Sequence, residues 1–191
     1  VCSSDLVNKL SKKGVTFELH HCANSASIIQ FKEAAFDVVR AGIILYGLWP
    51  SDDVSRLIDI RPVMSIKSHV VFIKEINAGD SISYGGTFTS DSKMKVATIP
   101  IGYGDGYPRG LSNKGYVLIN GHICNILGRV CMDQFMVDVT NVDVNVLDEV
   151  TLLGTDGKYS ITMEELGDLS GRFNYEFACD IGKRIPREYK K

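Results

Sequence analysis

Four short stretches of the sequence carry residue types that do chemistry. In DSISYGGTF, Asp80 to Phe88, Tyr84 follows a strand-like run and precedes Gly85 and Gly86. An aromatic there is either an ordinary strand-end residue or an acid/base presented on a tight turn, and a phenol of pKa about 10 acts as a base only where cations stabilise the phenolate. In HHCANSAS, Asn24 and Ser25 stand at a strand-to-helix junction. They supply either a simple N-cap or a hydroxyl which, with the free N–H groups of a helix start, forms an anion site. Arg40 follows 15 residues after Ser25, ends an apolar run and precedes AGII. Its guanidinium either snorkels to solvent or, with Gly42 permitting close backbone approach, adds a fixed cation to that anion site. On its residues alone, CMDQ (Cys131 to Gln134) is a bulge or turn that packs a methionine.

Two glycine patterns carry no nucleotide chemistry. GTDGKYS, Gly154 to Ser160, has two residues between its glycines where a phosphate-binding P-loop has four. GYGDGYPRG lacks the G-x-G-x-x-G spacing and follows a β pattern without a crossover helix. The 191 residues carry 21 basic and 23 acidic side chains in a mixed order, for a net charge of -2, which excludes the basic stripe of a nucleic-acid binder. AGIILYGLWP, Ala41 to Pro50, is half the length of a membrane span. Cysteines at 2, 22, 124, 131 and 179 form no C-x-x-C pair and no ligand spacing with the histidines, so a cytoplasmic, reducing setting without structural metal is expected.

The elements that must position these residues change character along the chain. LVNKLSKK predicts the last turns of an amphipathic helix ended by Gly14. VTFELHHCA, a helix over roughly 26–36 and VVRAGIILYG then give a strand, helix, strand rhythm, the pattern of βα units with parallel strands. From Arg61 onward the apolar runs are short and alternating, separated by glycine-bearing turns, and Asn120-Gly121 predicts a two-residue hairpin. Thr162 with Glu165 makes a capping box for one late helix. An α/β segment over residues 1–55 and a mostly antiparallel β domain over 56–191 are therefore expected.

HHCANSAS, VVRAGIILYGLWPS, DSISYGGTF, TIPIGYGDGYPR, ILGRVCMDQFMVDVT and NYEFACDIGKRIPR occur in the order and spacing of the C-terminal half of alanine racemase, a pyridoxal-phosphate enzyme family. The resemblance runs from about Thr16 to the C-terminus. It implies that the α/β segment is the end of a pyridoxal-phosphate-binding (β/α)8 barrel, followed by an antiparallel, barrel-like β domain, in a head-to-tail homodimer with sites shared between chains. Ser25, Gly42, Ile43 and Tyr175 look like ligands of the cofactor phosphate, and Arg40 like the group facing the pyridine nitrogen, steadied by His21. A guanidinium keeps its proton, so it donates to that nitrogen without protonating it, which weakens the electron sink and suits racemisation over transamination.

Racemisation removes a proton on one face of Cα and returns one on the other. The resemblance makes Tyr84 one of the two proton carriers, reaching into the partner's site, with Gly85 and Gly86 allowing the turn that projects it. Tyr103, Met132 and Asp133 resemble residues of the substrate entrance, Met132 receiving the substrate carboxylate on its backbone amide.

The lysine that anchors the cofactor in this family lies near the start of the barrel, and no stretch here resembles it. The polypeptide as given is therefore expected to be inactive alone, with apolar surface uncovered around 19–23 and 43–48. VCSSDL reverse-translates as the end of a common sequencing adapter, so residues 1–6 are expected to be a read-through scar; finding those codons in the genome refutes this. The expected activity is interconversion of L- and D-alanine for peptidoglycan. A serine or broad-spectrum racemase, or a non-catalytic β dimerisation module, are the alternatives.

Overall fold

The computed structural model describes residues 2–190 and divides into two compact units, Val1–Val63 and Met64–Lys191. Val1, the first residue of the expected scar, lies outside the described residues. The change of sequence texture near residue 55 precedes the division of the units because the intervening stretch is held to the first one. Val63 N–H donates to the Tyr46 carbonyl, and a Cβ on Gly47 would lie 1.7 Å from the Arg61 carbonyl oxygen.

In the first unit, α1 (Cys2–Ser11) ends in a turn that reaches Gly14, whose φ of +79° is the left-handed conformation expected of a helix stop. The Asn24 side chain accepts from Ser27 N–H at 3.0 Å and caps α2 (Ser25–Gln30). This helix is shorter than the expected 26–36, because the chain leaves helical geometry at Phe31 and resumes as a 3-10 turn over Lys32–Ala34.

The two expected strands of this unit do not form a ladder. Among the described residues, the backbone bonds between these stretches are those from Asp37 N–H and Val38 N–H to the His20 carbonyl and from Arg40 N–H to the Ala23 carbonyl. Two such segments fall below what an independent sheet needs, since buried parallel strands draw their regularity from neighbours on both sides. The apolar run after Gly42 is a 3-10 turn over Ile43–Tyr46, an ambiguity inherent in short apolar stretches. Ala23, Ile43 and Leu48 are buried, while Leu19, Leu45 and Tyr46 are more than half exposed.

The second unit is built on antiparallel strands: β1 (Ile66–His69), β2 (Phe72–Ile76), β3 (Ser81–Ile82), β4 (Phe88–Thr89), β5 (Met94–Ile99), β6 (Tyr116–Ile119), β7 (His122–Leu127), β8 (Phe135–Asp138), β9 (Glu149–Asp156) and β10 (Tyr159–Ile161). The main sheet runs β1-β9-β6-β7-β8-β5-β2, with β10 on β9, while β3 and β4 pair separately. β1 and β2 are one stretch of chain bent at Val70-Val71, so the two ends of the sheet path are covalently joined and the sheet curls upon itself. Asn120 (φ 51°) and Gly121 (φ 74°) make the expected hairpin turn between β6 and β7.

The interior is filled by fully buried Leu118, Phe135, Leu152, Ile161, Leu166 and Phe177, and each such side chain contributes about 1.5–3 kcal/mol. Tyr107 stacks on Phe135 at 5.2 Å between ring centres. Thr162 caps α3 (Met163–Ser170) by accepting from Glu165 N–H, one half of the expected capping box, while the Glu165 carboxylate accepts from Tyr116 O–H; Gly171 ends the helix at φ 71°. A second helix, α4 (Asn174–Asp180), follows and carries Tyr175. No helix among the described residues is long and apolar enough to cross a membrane.

Candidate active site

The candidate residues of the first unit gather around the start of α2 and the Ile43–Tyr46 turn. Because Asn24 takes the capping role, the Ser25 hydroxyl is left to accept from Gly42 N–H at 3.0 Å, and it keeps its own proton to donate. Ile43 is buried, and its N–H makes no hydrogen bond to another described residue. Arg40 sits one residue before Ala41-Gly42 with its Nη1 2.6 Å from His21 Nδ1. A hydroxyl proton, an unsatisfied amide and a fixed guanidinium are the donors that a phosphate and a ring nitrogen accept from. The donor set therefore fits the phosphate end and the pyridine nitrogen of pyridoxal phosphate.

In the second unit Tyr84 lies in a 3-10 turn, Tyr84–Gly86, between β3 and β4 and is 73% exposed. Ile82, buried with Ile76, Val96 and Leu127, anchors the base of this loop. At its tip Gly85 (φ 73°) and Gly86 (φ 54°) adopt the left-handed conformation and make the tight turn expected of them. A Cβ on Gly85 would come within 3.2 Å of Arg129 Nη1, so the glycine also admits that guanidinium.

Tyr103 and Met132 are brought against each other through their backbones. Tyr103 N–H donates to the Cys131 carbonyl at 3.0 Å and Gly104 N–H to the Met132 carbonyl at 2.9 Å. This approach requires Gly102, where a Cβ would fall 2.2 Å from the Cys131 carbonyl oxygen. The CMDQ stretch is a bend closed by Cys131 N–H donating to the Gln134 carbonyl, and the Met132 N–H has no acceptor among the described residues. Asp133 is tied by Arg184, whose Nη2 lies 2.5 Å from its carboxylate and whose Nε lies 3.2 Å from Asp105. Those carboxylates, Asp133 foremost, hold the Arg184 pKa up. Asp105 is buried, and its other oxygen accepts from Gly102 N–H at 3.0 Å.

Tyr175, the remaining expected phosphate ligand, belongs to the second unit. Its ring stacks on Phe173 at 4.4 Å, and burial raises its phenol pKa. Sequence reasoning did not single out Ser83, Asp105 or Arg184. The dense glycines of IGYGDG were the one available signal of a close backbone approach; nothing local marks an arginine in GKRIPR as the tie between two distant loops.

Residues 63–189 match the family model for the alanine racemase C-terminal domain, and residues 2–50 that for the N-terminal domain. An alanine racemase of Halothermothrix orenii is 47% identical over 97% of this chain and 49% of its own length, and one of Desulforamulus reducens 46% identical over 96% and 50%. Among solved structures, alanine racemase from Bacillus anthracis with bound L-Ala-P superposes with a TM-score of 0.92 at 36% identity, covering 98% of this chain and 49% of that one. The alanine racemase of Clostridium difficile in complex with cycloserine gives a TM-score of 0.85 at 42% identity, over 93% and 47%. The chain thus spans about half the length of the curated relatives it matches. The end of a (β/α)8 barrel followed by an antiparallel β domain is the fold these proteins share with it. With both domain models matched in order and the identity sustained along nearly all of its length, the chain belongs to the alanine racemase family.

Proposed function

We propose that this chain forms the C-terminal half of a pyridoxal-phosphate-dependent racemase that interconverts L- and D-alanine, with residues 1–55 closing the cofactor-binding barrel and 56–191 forming the β domain. The observation that carries the reading is the identity of 47% with a relative named alanine racemase over 97% of the chain. The donor set around Ser25 and Arg40 supports it on chemical grounds.

Bound pyridoxal phosphate supplies the electron sink that makes the Cα proton of an amino acid acidic. Ser25, through its hydroxyl, and Ile43, through its amide, would hold the phosphate, with Gly42 N–H seating the Ser25 oxygen so that its proton points outward. Arg40, oriented by His21, donates to the ring nitrogen and cannot hand over its proton at accessible pH. The Tyr84 phenol carries a proton to or from Cα on one face. Met132 N–H receives the substrate carboxylate, with Tyr103 and Asp133 lining the entrance. The exposure of Tyr84, Tyr103 and Met132 suits residues that serve a second copy of the chain in a homodimer. Supply of D-alanine for peptidoglycan in the cytoplasm is the biological role that follows.

The test joins this chain to the half of the Halothermothrix orenii relative that it does not cover, loads the product with pyridoxal phosphate, and follows the circular dichroism of L-alanine. Loss of rotation that depends on the cofactor and largely disappears in Tyr84→Phe supports the reading. A folded, cofactor-loaded protein that leaves L-alanine unchanged refutes it. Faster turnover of L-serine would assign the serine or broad-spectrum alternative.

A further inference from the structure

We propose that Ser83 is a positioning residue for Tyr84: a strained elbow, tethered to the segment that carries Met132, which aims the phenol. This rests on the proton-carrier role assigned to Tyr84 above. Ser83 has φ 65° and ψ 179°, a backbone region that is almost entirely the property of glycine. Any residue with a Cβ is strained there, and strain persists only where surrounding contacts over-determine it.

Those contacts are present on one side of the elbow. Ser83 Oγ donates to the Arg129 carbonyl at 2.7 Å and lies 3.3 Å from Cys131 Sγ. Gly128 lets the elbow come this close, since a Cβ there would lie 2.7 Å from the Ile82 carbonyl oxygen and 2.9 Å from Ser83 Cβ. The Ser83 carbonyl in turn accepts from Gly86 N–H at 3.3 Å and closes the turn that bears Tyr84. The Tyr84 phenol makes no hydrogen bond to another described residue, so the backbone at Ser83 sets the direction in which the side chain leaves the turn.

Glycine would take this conformation without strain, but it would lack the hydroxyl. The serine accepts the strain and gains a tether to residues 129–131, the run that leads directly into the free Met132 N–H. One short bond therefore fixes the spacing between the group that moves a proton at Cα and the amide that receives the substrate carboxylate. Proton transfer is steeply sensitive to such spacing, and small misplacements cost rate far more than binding.

Ser83→Gly removes the strain and the tether together, and the two losses act in opposite directions on stability and on rate. In the 191-residue chain, amide exchange of Gly86 is expected to quicken on the order of tenfold, while the thermal midpoint stays level or rises. In the pyridoxal-phosphate-loaded protein joined to the Halothermothrix orenii half, kcat is expected to fall on the order of tenfold or more with KM within about twofold. The isotope effect of α-deuterated alanine should grow in the one direction in which Tyr84 removes the proton, a change that general loosening would not confine to one enantiomer. An active parent whose Ser83→Gly variant keeps kcat overturns the positioning role, whether or not Gly86 exchange has changed. An inactive parent overturns the racemase reading and the positioning role with it.

Discussion

Arg40 Nη1 and His21 Nδ1 lie 2.6 Å apart, and because a guanidinium can only donate, the imidazole must accept at Nδ1 and carry its proton on Nε2. His21 thereby fixes the rotamer of the cation proposed to face the cofactor ring. His21→Ala is expected to weaken pyridoxal phosphate binding by about tenfold in the joined protein, the scale of one hydrogen bond to a charged group. An absorbance titration of the cofactor measures this, and unchanged affinity would remove His21 from the site.

Arg184 joins Asp133 to the buried Asp105, and Asp105 in turn holds Gly102 N–H. Arg184→Ala should loosen the Met132-Asp133 bend against the Tyr103 turn, leaving the two backbone bonds from Tyr103 and Gly104 as its remaining ties. The expected outcome is a rise in KM for alanine on the order of tenfold with a smaller change in kcat, read from steady-state kinetics. Arg184→Lys should restore little, because a point charge cannot span both carboxylates as the planar fork does.

Gly102→Ala would drive a Cβ to 2.2 Å and 2.4 Å from two carbonyl oxygens of the Cys131-Met132 backbone. Rigid backbone atoms cannot yield as a side chain would. A loss of about 2–4 kcal/mol of stability is expected in urea denaturation of the second unit.

Tyr116 O–H donates to Glu165, and burial first, then that carboxylate, push its pKa from 10.0 up to about 12. A raised pKa means that the folded protein holds the proton more tightly than the unfolded chain. The contribution is therefore complete below pH 10 and disappears as pH rises through about 12. Wild type should lose stability faster than Tyr116→Phe across that window, as urea midpoints at successive pH values would reveal.

Burial, together with the charges of Asp138 and Asp156, raises the Cys124 thiol to about 12, whereas Cys179 lies exposed. Near pH 8 iodoacetamide should label the exposed Cys179 well before the buried Cys124. Peptide mass spectrometry decides the order. Early labelling of Cys124 would mean that the β6–β7 hairpin opens.

The β domain was legible because its signals are local. Asn120-Gly121 and the Thr162 cap each specify a conformation within a few residues, and both form as expected. The first unit was not legible in the same way. Val15–Ala23 and Val38–Gly47 have strand-like composition, but ladders are a property of neighbours, and among the described residues these segments share only two backbone bonds. Within the candidate site, Ser25, Arg40 and Tyr84 stood out by residue type beside glycines or caps. Ser83 and Arg184 did not, since an unusual backbone angle and a tie between residues 105 and 133 leave no trace in spacing.

The bend at Val70-Val71, which lets one strand serve both ends of the sheet, also sets a timetable for synthesis. Ile66 pairs with Leu153, so the first strand of the domain to leave the ribosome waits for one of the last before its outer edge is covered. Phe72–Ile76, by contrast, finds β5 soon after Ile99 emerges. The nascent domain is thus an open sheet with one unpaired flank for most of its translation, a long-range closure that slows folding and invites pairing with other nascent chains.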